Sequence, residues 1–478
     1  MSSCLPLHSR ALPPAVTPQA GRSGPDEGSM ALLLAACARR HGVPGAQLAW
    51  YADGRTLTAE YGVVEHGTGR PVTADTAFPA GSVTKVATAT AVLALAADDD
   101  VDLDEPVGRL VPGLPHPAAD VTARQLLSHT AGLPCGPAAE EVAGLSVPAY
   151  LSRVCDPLHR VVVPGTGFSY SNAGYVLLGR LLSAITGMSW ADMVTALVLD
   201  PLGVPADMIG LPGWAGSGRA VATGHSAHAR TGRIRPVLQS LSPAEAAAGA
   251  LALSASDLVA LGRPHVDGGV PAVLPPRLAE LMRTVVPGAV PFGLAQGWGL
   301  GLAAFGAGPH PWSGHDGNAD GTAAYLRIDP AGSRIVALTC TAGSGYAMWT
   351  ELSARLRAFG LPLGPTETSP KEETGLFAAG DHPGLLPART APLCAGSYRN
   401  GDVEYLVTEA GPHGLQLGID GEAPENIVVR ADLSFLMEDA ATGGWSLGGR
   451  FVRDHPGRVM NGIQVGGRLA GRRIAAFA

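Results

Sequence analysis

Apolar and polar residues alternate in two runs, 46–51 and 56–64, separated by Asp53-Gly54. A period of two marks strands that bury one face, and an Asp-Gly step between them is a strong hairpin signal. Residues 30–40 and 175–185 instead carry apolar side chains at helical spacing, the second run stopping at Gly187. From 82 to 97, Ala, Val and Leu fall on nearly every side of a helical wheel, which predicts a buried helix. Asp102-Leu103-Asp104-Glu105-Pro106 breaks it. Residues 120–290 read mainly as helices and loops. Strand patterns return at 297–305, 322–328 and 334–341, the last two joined by the turn Asp329-Pro330-Ala331-Gly332. A helix over 346–359 closes this part. Residues 361–390, rich in Pro, Gly, Thr and Glu, read as a linker. Beyond them alternation resumes, as in Asp402-Val403-Glu404-Tyr405-Leu406-Val407 and Trp445-Ser446-Leu447. Roughly six to eight short strands over 391–478 predict a small barrel or sandwich.

Composition narrows the picture. At ~100–200 residues per domain, 478 residues suggest two or three domains. The pattern divides them into a disordered tail (1–29), a first domain (30–360), the linker and a small β-rich domain (391–478). A net charge of −8 disfavours nucleic acid, whose phosphates attract a basic face. The longest nearly unbroken apolar run, 86–97, is far short of the ~20 residues that span a bilayer, so no membrane span is expected. Six scattered cysteines form neither a disulfide framework nor a zinc pattern. Residues 1–28 hold no apolar stretch of the signal-peptide kind. Leu34-Ala35-Ala36-Cys37 fits a lipoprotein box only for translation from Met30, and then without a basic segment before it. A cytoplasmic protein is expected.

Two biases frame the chemistry. There are two lysines, Lys85 and Lys371, against 31 arginines, and before residue 400 the asparagines are Asn172 and Asn318 alone. Lys85 stands in Gly81-Ser82-Val83-Thr84-Lys85, three residues after a serine. A helix places i and i+3 on one face. Burial lowers a lysine's pKa and leaves an amine able to take a proton, which arginine cannot do. Serine needs such a base to become a nucleophile. The bland alternative is a capping serine and a surface lysine. Tyr170-Ser171-Asn172 holds one of the two asparagines, although Ser171 or Asn172 could simply cap the helix that follows. Gly314-His315-Asp316-Gly317-Asn318 holds the other, although it also reads as a polar turn.

In this order the three motifs resemble the pattern of the penicillin-recognising serine enzymes, SxxK, YxN and a K/H-x-G strand motif: class C β-lactamases, DD-peptidases and their esterase, D-aminopeptidase and transacylase relatives. Val43-Pro44-Gly45-Ala46 and Leu126-Leu127-Ser128-His129-Thr130-Ala131-Gly132-Leu133 add to the likeness, which spans roughly 30–360. It implies an α+β fold: a β-lactamase/transpeptidase-like domain of antiparallel sheet, packing helices and a helical subdomain. A small all-β, barrel-like (lipocalin-like) domain then follows. It also implies roles. Ser82 is acylated, Lys85 activates it, and Tyr170 shuttles protons to the leaving group and from the acceptor. Asn172 contacts substrate or Lys85. His315 and Gly317 form the third motif, and the backbone N–H groups of Ser82 and Asn318 form an oxyanion hole. A histidine where many relatives have lysine is mostly uncharged near neutrality, which weakens a penicillinase reading.

Other motifs carry less. Gly444-Trp445-Ser446-Leu447-Gly448 fits the GxSxG elbow, but alternation continues through it. His225-Ser226-Ala227-His228 lacks a third metal ligand, and His129 reads as a structural loop residue. No metal and no cofactor are expected. The expected function is serine acyl transfer from an ester, thioester or amide to an amine, as in transacylases or peptide cyclases of antibiotic biosynthesis. The alternatives are a hydrolase that uses water and a non-catalytic peptide-binding scaffold. The expected partners are a small-molecule or peptidyl acyl donor, an amine or water acceptor, and a carrier protein that the C-terminal domain could dock.

Overall fold

The alternating runs of the first domain assemble into one antiparallel sheet. A computed structural model describes residues 26–473 apart from 117, 138, 157–158, 229–230, 307–310, 360, 362, 364–390, 411–413, 439–443 and 454–458. The first helix, α1 (Glu27–Arg40), starts three residues before the expected Met30, because Asp26 accepts a hydrogen bond from Ser29 N and caps it. Residues 27–29 are thus helical, and the rest of the expected tail, 1–25, lies outside the described residues. The expected hairpin is β1 (Gly45–Ala52) and β2 (Arg55–Gly62). A single 3₁₀ turn, Gly81–Val83, then leads into α2 (Thr84–Ala97), so Ser82 precedes the α-helix itself. The run at 175–185 is part of α3 (Asn172–Thr186), closed by Gly187 at φ 73.

The remaining sheet strands are β3 (Gly297–Trp298), β4 (Ala303–Phe305), β5 (Trp312–Ala319), β6 (Thr322–Asp329) and β7 (Arg334–Cys340), in the order β2-β1-β7-β6-β5-β4-β3. The single strand expected over 297–305 is two short ones. The motif at 314–318 is not a turn: it is the centre of β5, and the chain reverses after Ala319. Side chains on a strand alternate between faces. Ala324, Leu326 and Ile328 of β6 therefore join the core of α2 and α3, whereas Ala323 and Tyr325 face α1 and α4 (Gly345–Ala358). Both faces of the sheet are covered, which is why all eight residues of β6 are buried.

Of the expected linker, Leu361 and Leu363 are buried against the α1–α4 side of the core, and 364–390 lie outside the described residues. The described residues of 396–472 form a closed eight-stranded antiparallel barrel around Tyr398, Phe435, Phe451 and Ile463. Ser446 lies inside the strand Trp445–Val452, with no strand-to-helix elbow. Among the described residues no single helix is long and apolar enough to cross a membrane.

Candidate active site

Gly81 fixes the start of the site. Its φ of +50 suits glycine, and a Cβ there would stand 2.2 Å from Asn318 O. Gly317 does the same from the other side, since its Cβ would lie 2.0 Å from Ala80 O. These two glycines let the 3₁₀ turn sit directly on β5, so the backbones of Ser82 and Asn318 flank one opening. β5 pairs with β6 along its length but with β4 only over 312–314. Its edge from His315 onward is therefore free of β4 beside Ser82.

Lys85 is not a surface lysine: its side chain is fully buried. Nζ stands 3.0 Å from Ser82 Oγ and donates to the Ala248 carbonyl at 2.8 Å. Burial, helped by the charge of Arg468 and opposed by Glu245, lowers its pKa to about 7. Near neutrality a large fraction of Lys85 is an uncharged amine within reach of the serine proton. Glu245 is itself buried and accepts from Tyr150 OH at 3.1 Å.

Ser171 is the helix cap, accepting from Gly174 N at 2.9 Å. That leaves Asn172, in the first turn of α3, free of capping duty, and its Oδ1 has no partner among the described residues. The Tyr170 hydroxyl is likewise unpartnered there. Burial pushes its phenol above the ordinary value, while Ser82 and Arg468 pull it back. Lys85 Nζ sits 5.1 Å from the Tyr170 ring centre. His315 Nδ1 lies 2.6 Å from the Asp316 carbonyl. A carbonyl only accepts, so Nδ1 carries the hydrogen and Nε2 is bare. Burial above all, then the charge of Lys85, takes the His315 pKa to about 3, and the ring is neutral. Asp316, next to it, is ion-paired with the buried Arg327.

Ser82, Tyr170, Asn172, His315, Asp316 and Asn318 line one cavity of about 260 Å³, and the barrel completes it with Gly466 and Arg468. Arg468 follows the turn at Gly466-Gly467, and its guanidinium lies 5.7 Å from the Tyr170 ring centre. The barrel is bolted to the segment that carries Tyr170. Gly467 O accepts from Tyr170 N at 3.0 Å, and the buried Asn400 accepts from Cys135 N at 2.7 Å and donates to Ser169 Oγ at 3.2 Å. Sequence reasoning missed Arg468, Asn400 and Glu245. A larger, mostly apolar cavity of about 510 Å³ between α3 and the 211–214 loop contains none of the motif residues. His225, weighed as a metal ligand, instead accepts from His66 N through Nε2 and holds Nδ1 3.0 Å from Thr341 O.

Comparison with known proteins agrees with this architecture. Residues 30–358 match the Beta-lactamase family model. The chain is 35% identical over 327 residues to penicillin-binding protein 4 of Amycolatopsis lactamdurans, covering 66% of this chain and 85% of that one. The crystal structure of SurE superimposes with a TM-score of 0.79 at 37% identity, covering 94% of this chain and 99% of SurE, barrel included; SurE has also been solved with D-Leu. The D-amino acid amidase of Ochrobactrum anthropi SV3 matches with a TM-score of 0.59 at 25% identity, over 69% of this chain and 97% of the amidase.

Proposed function

The chain belongs to the beta-lactamase family and is an enzyme of the serine-hydrolase type; from that premise we propose that it carries an acyl group on Ser82 and passes it to an amine. The Ser82 hydroxyl gives its proton to neutral Lys85 as Oγ bonds to the carbonyl carbon of an ester, thioester or amide. The oxyanion turns toward the backbone N–H groups of Ser82 and Asn318. When the tetrahedral adduct collapses, the bond to the leaving group breaks and that group takes a proton delivered through Tyr170. The acceptor amine then attacks the acyl carbon and gives its proton back through Tyr170 and Lys85, and Ser82 leaves with its own proton restored. A scaffold has no use for a neutral amine held beside a serine.

One observation favours an amine over water: the barrel adds a wall with a fixed cation, Arg468, to the cavity that holds Ser82 and Tyr170. Water needs no such wall. A partner of amino-acid or peptide type, with a carboxylate for the guanidinium, fits it. The likeness to SurE, solved with D-Leu, supports a D-configured residue in the substrate. The amidase likeness favours a second reading, in which water releases the same acyl-enzyme as the free acid. A peptidyl thioester ending in a D-residue, supplied with and without an amine, tests the choice. The amide is the expected product when amine is present. Linear acid alone in both reactions would overturn the proposal.

A further inference from the structure

His129 lies outside the cavity lining, yet it holds Tyr170 and the residue on either side of it. Its carbonyl accepts from Ser169 N at 2.9 Å, and its ring Nδ1 accepts from Ser171 N at 3.1 Å. Between them, Tyr170 N turns the opposite way, to Gly467 O of the barrel. The imidazole lies under the phenol, ring centres 4.3 Å apart at 33°. His129 does this from a left-handed backbone, φ 57, while almost fully buried. Such a conformation in a residue other than glycine persists only where its surroundings hold it, and it gathers at functional sites. The Tyr170 hydroxyl has no partner at full hydrogen-bond geometry among the described residues, Ser82 being the side chain it faces. Its aim is therefore set chiefly through its backbone and ring.

We infer that His129 is the positioning residue of Tyr170, acting as a neutral ring with a bare Nδ1 and a protonated Nε2. The tautomer follows from the geometry: a backbone N–H only donates, so Nδ1 must accept. Burial above all opposes a positive charge on the ring, as do the neighbouring Lys85 and Arg468. The inference rests on Tyr170 shuttling protons in the proposed reaction, and it makes a distinction that a mere packing role does not. Tyr170 matters most when the leaving group needs a proton. Misaiming it should slow donors with poor leaving groups and spare a nitrophenyl ester.

The test compares nitrophenyl-ester and alkylamide donors of one acyl group across wild type, His129→Leu, His129→Asn, Tyr170→Phe and the double variant His129→Leu/Tyr170→Phe. His129→Leu should lose at least ~10-fold more in kcat/KM on the amide than on the ester. Added to Tyr170→Phe, it should cost less than ~3-fold more, because both act through one hydroxyl. Asparagine tolerates the left-handed backbone and offers an oxygen to Ser171 N, so His129→Asn should recover most of the amide rate. Equal losses on both donors in a folded His129→Leu protein, a folded His129→Asn protein as slow on the amide as His129→Leu, or full additivity with Tyr170→Phe would overturn the inference. Nitrogen-15 NMR of wild-type His129 reads the tautomer without any turnover, and a protonated Nδ1 would also overturn it. Labelling of wild-type Ser82 by a fluorophosphonate scores the acyl-transfer reading separately.

Discussion

Lys85 folds into a place that opposes its charge. With its pKa lowered to about 7 from the usual 10.5, the unfolded chain binds the extra proton across that interval. Stability therefore rises with pH from about 7 to 10.5, and the penalty is fully present below about 7. Lys85→Met keeps a similar apolar stem and removes the penalty. Its melting temperature should exceed that of wild type by a few degrees at pH 6, the gap closing toward pH 10, while acylation of Ser82 falls by at least ~10²-fold. A scan of melting temperature against pH beside a burst assay checks both halves; a variant less stable at pH 6 would contradict the assignment. The residue was legible because a chain that otherwise uses arginine keeps lysine there. The same reasoning from scarcity pointed to Asn172 and Asn318. Carried one asparagine further, it would have reached Asn400.

At the scale of elements, the site depends on how closely a 3₁₀ turn approaches a strand. Gly81→Ala would force a Cβ against the Asn318 carbonyl and spoil a positive φ. It should cost roughly 10²–10³ in acylation rate, the size of a lost oxyanion donor, with KM little changed; steady-state kinetics with a chromogenic ester would show it. The helices and the hairpins β1–β2 and β6–β7 were legible in periodicity and turn residues. The segment 314–318 was placed on a strand by the family resemblance and not by its own pattern, because Gly314 and Gly317 are poor strand formers. Its extended form comes from pairing with β6 and from the close approach of Ala80, and a local pattern carries neither.

Across the whole molecule, the barrel and the catalytic domain make one site. Asn400→Leu leaves the part-buried Cys135 N–H without its acceptor, which costs at most about 1–3 kcal/mol. Calorimetry should show a lower melting temperature, and turnover should fall further because Ser169, next to Tyr170, loses a partner. Arg468→Met should weaken an acceptor that bears a carboxylate by roughly tenfold or more in kcat/KM while sparing the corresponding carboxamide; equal effects on the two would contradict a carboxylate seat. Arg468 was invisible in the sequence: it is one of 31 arginines, behind a Gly-Gly turn, and only docking of the barrel brings it to Tyr170. The central claim is that a buried amine, uncharged near neutrality, makes Ser82 a nucleophile. The rate of covalent labelling at Ser82, followed by intact mass against pH, tests it most directly. The rate should climb through pH of about 7 to a plateau in wild type and vanish in Ser82→Ala. Labelling that persists in Ser82→Ala, or a wild-type rate flat across that range, would contradict it.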